Sequence, residues 1–204
     1  MINISHHQLI KAEQQMYLFH SEDRTGHGWD HILRVKNLAL KIAEIEGVQQ
    51  KELVELISLF HDAGDDKLHP STEEAADFLN TMISLLEFSP DETDYLIPQI
   101  KAVSFRNRDL FQGGIESQIV ADADRLDAIG AIGAARAFTY GGAGGQKLYS
   151  VKSGEPSVLD HFDKKLLKLK DTINTKTGYK IALERHRFLE QFKDQFLNEW
   201  NGKK

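Results

Sequence analysis

The chain has no cysteine among its 204 residues. Disulfide bonds, thiolate metal sites and cysteine nucleophiles are therefore excluded. No apolar run approaches the roughly 18 residues that a membrane-spanning helix needs. The opening MINISHHQLIKAEQQ lacks the basic and apolar regions of a secretory signal, so we expect a cytoplasmic protein without a membrane partner.

Basic residues are the minority, with 25 against 31 acidic residues and a net charge of −6. Proteins that bind nucleic acid over a broad surface usually carry a basic stripe, so we expect no such surface here. A small phosphorylated substrate is compatible with this charge, because a metal ion and a few local cations can reverse the field in one pocket.

Apolar residues recur at the three- and four-residue spacing of buried helix faces. One series runs from Val35 to Ile45, with Gly47 suited to end it, and a second runs from Leu53 to Phe60. Ser71 and Ser89 each precede a helix-start pattern. No segment favours a strand, so we predict an all-α fold.

Three further expectations concern glycine and proline. Residues 117–138 predict one long helix, in which Gly130 and Gly133 cost about 1 kcal/mol each and indicate close packing or a bend. Pro98 should kink or interrupt its helix. The glycine-rich stretch 141–145 predicts a flexible loop within a mobile segment 141–157, either a lid over the site or an ordinary surface connection.

Ionisable residues lie where apolar packing is expected. His31 precedes the Val35–Ile45 series by four residues, and His61 and Asp62 directly follow the Leu53–Phe60 series. Asp124 and Asp127 lie three apart on one helix face. Such groups are costly to bury unless they are paired or coordinated. Two imidazoles with carboxylates can form a metal site. Alternatively, the histidines are structural and the aspartates pair with Lys101, Arg125 or Arg136.

His27 and His31 have the i, i+4 spacing of zinc-protease helices. The glutamate base that follows the first histidine in those enzymes is absent, and Gly28 stands in its place. We therefore set the protease interpretation aside.

Three segments carry a resemblance: GHGWDHILRV (26–35), LFHDAGDDK (59–67) and ADADRLDAIGAIGAARAF (121–138). They resemble the signature segments of the HD-domain superfamily of metal-dependent phosphohydrolases, particularly its small bacterial YedJ/YpgQ-like members. The likeness continues through 161–192. It implies one helical-bundle domain over 1–204, with a motif core at about 26–138 and C-terminal helices 158–200 packing on it.

The resemblance assigns His31, His61, Asp62 and Asp124 as metal ligands and Asp65 as the catalytic proton acceptor. His27 would contact substrate phosphate, or it caps the helix. Members with two metals have two more histidine ligands between the HD pair, which is His61 and Asp62 in this chain, and the last aspartate. Between Asp62 and Asp124 this chain has only His69. We therefore expect one divalent ion, with manganese first and iron, cobalt, nickel, zinc or magnesium as alternatives.

The implied activity is hydrolysis of a phosphate ester or anhydride in a nucleotide-like substrate. Nucleoside triphosphate pyrophosphohydrolysis is the first expectation, and a nucleoside 5′-monophosphate phosphatase is the alternative. A non-catalytic nucleotide sensor and a structural interaction protein are the other classes. Lys67, Arg106 and Lys147 are the expected phosphate-binding cations, with Lys67 also assigned to catalysis. We expect a monomer or homodimer.

Overall fold

The structure is a computed structural model that describes residues 2–23, 28–104, 113–152 and 155–203. Within these residues it contains nine α-helices, two short 3₁₀ helices and no β-strand. A single backbone bridge joins Lys147 to Ser157. The all-α prediction is confirmed. None of the helices in these ranges is long and apolar enough to cross a membrane.

The chain divides into two compact units, Met1–Ala123 and Asp124–Lys204. Helices α1 to α5 of the first unit are His6–His20, Trp29–Glu46, Lys51–Phe60, Thr72–Ser84 and Pro90–Lys101. Helix α6, Ile115–Asp127, runs from the first unit into the second. Helices α7 to α9 are Gly130–Ala143, Val158–Lys164 and Lys176–Trp200. The 3₁₀ helices are Asp66–Leu68 and Leu166–Thr172. A single domain over 1–204 stays a prediction.

Helix α3 is the centre of the first unit. It packs against α1, α2 and α5, and every residue from Leu53 to Phe60 except Glu55 is buried. Each large side chain buried there contributes about 1.5–3 kcal/mol of transfer free energy. This packing fixes the end of α3, from which the next two residues, His61 and Asp62, emerge.

Helix ends follow the local sequence. Gly47 ends α2 in the left-handed conformation, with φ of 73°, which glycine adopts without strain. Ser89 forms a complete capping box with Glu92 at the start of α5. Pro98 does not interrupt α5, which continues to Lys101. The expected interruption is therefore wrong, and a kink at Pro98 stays a prediction.

The prediction of one helix over 117–138 was also wrong. Helix α6 ends at Asp127, Ile129 is extended, and α7 begins at Gly130. Gly130 has φ of 79°, which no helix interior accepts and which glycine adopts most readily. Apolar periodicity continues across the break, so periodicity alone could not reveal it.

The expected loop at 141–145 is helical over its first three residues, because α7 extends to Ala143. Gly141 is buried, and a Cβ atom there would lie 2.2 Å from the Val158 Cγ2 atom. The glycine therefore allows close packing of α7 on α8, and the flexible-loop prediction is wrong for residues 141–143.

The second unit is built around aromatic side chains. Phe138 of α7 lies within 6 Å, centroid to centroid, of Phe162 on α8 and of Phe192 and Phe196 on α9. Phe162 also stacks on Phe192 at 5.8 Å. Offset and tilted pairs of this kind add to the hydrophobic stabilisation, and they hold α7, α8 and α9 together.

Candidate metal centre

His31 lies in the first turn of α2. Its backbone N–H donates to the Gly28 carbonyl at 2.9 Å, and the neighbouring Ile32 and Val35 are fully buried. The buried face of the helix therefore carries the imidazole inward, and His31 is only 1% exposed. Burial leaves this imidazole dependent on protein atoms or an ion for its polar contacts.

Two charged residues near the start of α2, Asp30 and Arg34, are not buried. Arg34 donates to the Asp30 carboxylate one helical turn away. This hydrogen bond holds the pKa of Asp30 below its ordinary value. The Arg34 guanidinium is thus engaged with Asp30.

His61 and Asp62 follow directly from the buried end of α3, and each is 8% exposed. The His61 Nδ1 atom lies 2.8 Å from the Ser58 carbonyl oxygen. Since a carbonyl can only accept, Nδ1 carries a hydrogen, and in the neutral tautomer with this hydrogen the lone pair is on Nε2. A backbone carbonyl that orients a histidine in this way is a common outer partner of metal-ligating imidazoles.

Three donor atoms form a nearly equilateral triangle. The two Nε2 atoms of His31 and His61 are 3.3 Å apart. The Asp62 Oδ2 atom lies 3.4 Å from the first and 3.5 Å from the second. Two ligands held about 2.1 Å from one tetrahedral ion are about 3.4 Å apart, so one divalent ion fits the triangle.

These three side chains are the one group in the described part of the chain whose donor atoms meet as a metal cluster would. Two nitrogens and a carboxylate oxygen suit first-row divalent ions, among which geometry and availability discriminate. A divalent metal site built on His31, His61 and Asp62 is therefore supported, and the identity of the metal stays open.

Asp65 and Lys67 lie just after the HD pair. The Asp65 backbone N–H donates to the Asp62 carbonyl at 3.0 Å, which folds the chain into a turn. The Asp65 Oδ1 atom accepts from the Lys67 backbone N–H at 3.0 Å, and the Lys67 ammonium lies 3.9 Å from the Asp65 Oδ2 atom. The two residues with assigned catalytic roles are therefore in direct contact.

Asp124 is half-buried, three residues before the end of α6, and its role as fourth ligand stays a prediction. Asp127 is a different case, because its Oδ2 atom accepts from Arg136 at 2.5 Å and its side chain is almost fully buried. Pairing with Arg136 was one of the alternative explanations for this aspartate, and it is confirmed.

The remaining predicted substrate-binding residues are His27, Arg106 and Lys147. His27 and Arg106 lie outside the described residues. Lys147 belongs to the second unit, where its ammonium donates to Glu155 at 2.6 Å and is 59% exposed. This hydrogen bond, with one from Ser150, holds the pKa of Glu155 below its ordinary value.

Sequence reasoning missed two contributors near the site. The Ser58 carbonyl orients His61, and no sequence signal could reveal it because every residue has a carbonyl. His69 was considered only as a potential ligand, yet its Nε2 atom lies 2.7 Å from the Ala63 carbonyl. Only the folded loop shows that contact.

Known proteins share this architecture and these motifs. A family model described as HD domain matches residues 28–129. YpgQ of Bacillus subtilis strain 168 is 39% identical over 185 residues, covering 89% of this chain and 88% of that protein. The chain therefore belongs to the HD-domain family, and it is a metal-dependent phosphohydrolase.

Two solved structures extend the comparison to nearly the whole chain. An HD-superfamily hydrolase from Bacillus thuringiensis is 37% identical with a TM-score of 0.78, covering 96% of this chain and 97% of that one. The crystal structure of B. subtilis YpgQ in complex with ADP is 34% identical with a TM-score of 0.78, covering 95% and 94%. Relatives at this level of identity share the family as well as the fold.

Proposed function

We propose that the protein hydrolyses the phosphoanhydride of a nucleoside triphosphate, producing a nucleoside monophosphate and pyrophosphate. The triangle of the His31, His61 and Asp62 donor atoms carries this proposal, because it fits one divalent ion. The nucleotide class is supported by the ADP found with YpgQ. In the reaction, a water oxygen bonds to the α-phosphorus as the bond to the bridging oxygen breaks and pyrophosphate leaves.

His31, His61 and Asp62 would hold the ion, with Asp124 as the fourth ligand. When bound, the ion supplies a Lewis acid that polarises a phosphoryl oxygen and lowers the pKa of water. With its Nδ1 hydrogen directed at Ser58, His61 would bind the ion through a deprotonated Nε2. We propose manganese first, with iron, cobalt, nickel, zinc and magnesium as alternatives.

Asp65 is proposed to accept the proton of the attacking water. Its position three residues after Asp62, in a turn closed by a backbone hydrogen bond, supports this role because a general base must lie within hydrogen-bond reach of the proton. Lys67, His27, Arg106 and Lys147 are proposed to bind phosphate oxygens, where cations stabilise developing negative charge.

The test begins with metal-free protein, reconstituted separately with manganese, iron(II), cobalt, nickel, zinc and magnesium. Each sample is assayed against nucleoside triphosphates, diphosphates and 5′-monophosphates, with separate detection of pyrophosphate and orthophosphate. Release of pyrophosphate with equimolar monophosphate supports the proposal. Asp62→Asn is the inactive control, because it alters one donor atom of the triangle.

Other outcomes would identify the alternatives. Orthophosphate released from monophosphates alone would indicate a nucleoside 5′-monophosphate phosphatase. Nucleotide binding without turnover under every metal would indicate a sensor, and absence of both metal and nucleotide binding would indicate a structural protein. Each of these results would overturn the pyrophosphohydrolase proposal.

The organisation of the protein is also proposed. We propose a single HD-type domain over 1–204, with helices 158–200 packing on the motif core, and a monomer or homodimer in the cytoplasm. Coincident unfolding of probes in the two compact units would support the single domain. Light scattering coupled to size exclusion would decide the oligomeric state.

A further inference from the structure

The loop of residues 63–69 joins the HD pair to the helix that follows, and His69 closes it. The His69 Nε2 atom lies 2.7 Å from the Ala63 carbonyl oxygen. The carbonyl can only accept, so Nε2 carries the hydrogen and donates. Ala63 directly follows Asp62, so this hydrogen bond ties the far end of the loop to the residue after the HD pair.

Neighbouring aromatic rings hold the imidazole itself. Phe19 of α1 stacks on it with centroids 5.5 Å apart and planes 13° apart. Phe78 of α4 lies 5.0 Å away on a tilted plane, and Phe19 and Phe78 contact each other at 4.4 Å. Rings packed in this way restrict rotation of the imidazole, so His69 attaches the loop to α1 and α4.

The backbone of His69 is restricted as well. The residue before a proline is confined largely to extended conformations. His69 precedes Pro70 and has φ of −133° and ψ of 155°. The local sequence therefore contributes to directing the imidazole back over the loop.

Asp65 and Lys67 lie within the loop that His69 closes. The Asp65 N–H donates to the Asp62 carbonyl at 3.0 Å, and the Leu68 N–H donates to the Asp65 carbonyl at 2.9 Å. The Asp65 carboxylate itself accepts from the Lys67 N–H. These bonds make the loop a compact unit whose orientation depends on how its two ends are held.

We propose that His69 is a positioning residue that fixes Asp65, and with it Lys67, for hydrolysis. This inference rests on the proposed function and on the role of Asp65 in it. His69 acts through the loop, and it does not belong to the group of clustered donors formed by His31, His61 and Asp62. A catalytic group displaced by about 1 Å can lose as much as 100-fold in rate.

The decisive variant is His69→Phe, which keeps a planar aromatic ring for Phe19 and Phe78 but removes the N–H donor. We expect kcat to fall about 10- to 100-fold, with KM and the manganese dissociation constant each within about threefold of wild type. His69→Gln can present an N–H near the same position and should recover part of the rate. His7→Phe, on the exposed face of α1, is the matched control and should behave as wild type.

A double-mutant cycle with Asp65→Asn separates positioning from general stabilisation. If His69 acts through Asp65, adding His69→Phe to Asp65→Asn should change kcat by less than about twofold. Hydrogen exchange measured by mass spectrometry gives a readout without turnover. Amides 63–69 should exchange faster in His69→Phe than in wild type, while those of α1 should not.

The proposal is overturned if His69→Phe keeps wild-type kcat, or if its effect persists undiminished beside Asp65→Asn. Should His69→Phe not fold, the cycle is run with His69→Gln and judged by the same two criteria.

All variants are also assayed on bis(p-nitrophenyl) phosphate with manganese. A wild type active on this ester but on no nucleotide would refute only the proposed substrate.

Discussion

The two nitrogens of His61 have separate tasks. Nδ1 donates to the Ser58 carbonyl, and Nε2 lies with the His31 nitrogen and the Asp62 oxygen in the triangle. In the neutral ring this hydrogen bond selects the tautomer whose lone pair is on Nε2, the atom in the triangle. A backbone carbonyl at the end of α3 therefore orients one of the proposed metal ligands.

Replacing His61 tests the metal centre directly. We expect His61→Ala to lower metal affinity at least about 10-fold, since it removes one of the three clustered donors, and to abolish nearly all hydrolysis. Elemental analysis and titration calorimetry measure the metal, with exposed His7→Ala as control. Wild-type metal content in His61→Ala would refute the site.

Asp124→Ala is a separate experiment, because Asp124 is assigned by resemblance. We expect this variant to lose most of its bound metal and nearly all activity. Elemental analysis under the same conditions decides the matter. Full metal retention would remove Asp124 from the ligand set while leaving the three clustered donors in place.

Asp65→Asn tests the proposed base. We expect turnover to fall by about 10²–10⁴-fold, the usual contribution of a positioned proton acceptor, with metal content unchanged. Its neighbour Asp66→Asn is the matched control and should remain close to wild type. An Asp65→Asn protein that retains metal and more than about half the wild-type rate would exclude Asp65 as the base.

At the scale of elements, a side chain of α9 contacts the turn between α6 and α7. Arg185 of α9 donates to the Leu126 carbonyl at 2.5 Å, and this carbonyl also accepts from the Ile129 N–H at 3.2 Å. Carbonyls in the last turn of a helix need partners of this kind because they have none within the helix. Burial lowers the pKa of this guanidinium, although Asp127 nearby acts in the opposite direction. The stem of Arg185 lies against Gly130.

Gly130→Ala should therefore destabilise the protein. The left-handed conformation costs a non-glycine residue roughly 1–2 kcal/mol, and the new Cβ atom would lie 3.0 Å from the Arg185 Cγ atom. Urea unfolding should show a lower midpoint with an unchanged slope. An Ala variant as stable as wild type would contradict the described turn.

Neighbouring glycines at the end of α7 provide a matched pair. Gly141→Ala should destabilise, because its Cβ atom would clash with Val158 at 2.2 Å. Gly142 has no atom within 4 Å of such a Cβ, so Gly142→Ala should stabilise by up to about 1 kcal/mol through helix propensity. Equal midpoints for both variants in urea unfolding would refute a helical, packed end of α7.

At the scale of the whole molecule, metal binding should raise stability. A ligand at 100 times its dissociation constant adds about 2.7 kcal/mol to the free energy of unfolding, roughly 5–10 °C in Tm for a chain of this size. Calorimetry with manganese and then with EDTA checks the gain and its reversal. Asp62→Asn should show neither, and a metal-dependent shift in that variant would locate the binding elsewhere.

Much of this molecule follows from short-range sequence information. Apolar spacing from Leu53 to Phe60 predicts buried α3, and Ser89 with Glu92 predicts the start of α5. The same kind of reasoning failed at Gly130 and Gly141. At both positions a Cβ atom would meet a side chain from another helix, Arg185 at Gly130 and Val158 at Gly141, and local sequence patterns do not contain that information.

The sequence by itself determined that the fold is helical, that no thiolate can bind metal, and that the chain carries the HD-family motifs. These properties depend on residue types and on spacings within a turn or two of helix. Only the tertiary structure decided that the donor atoms of His31, His61 and Asp62 lie 3.3–3.5 Å apart. It also directed the His69 ring at Ala63. A side chain's hydrogen-bond partner and its distance to a residue thirty positions away arise from helix packing, which local sequence patterns do not encode.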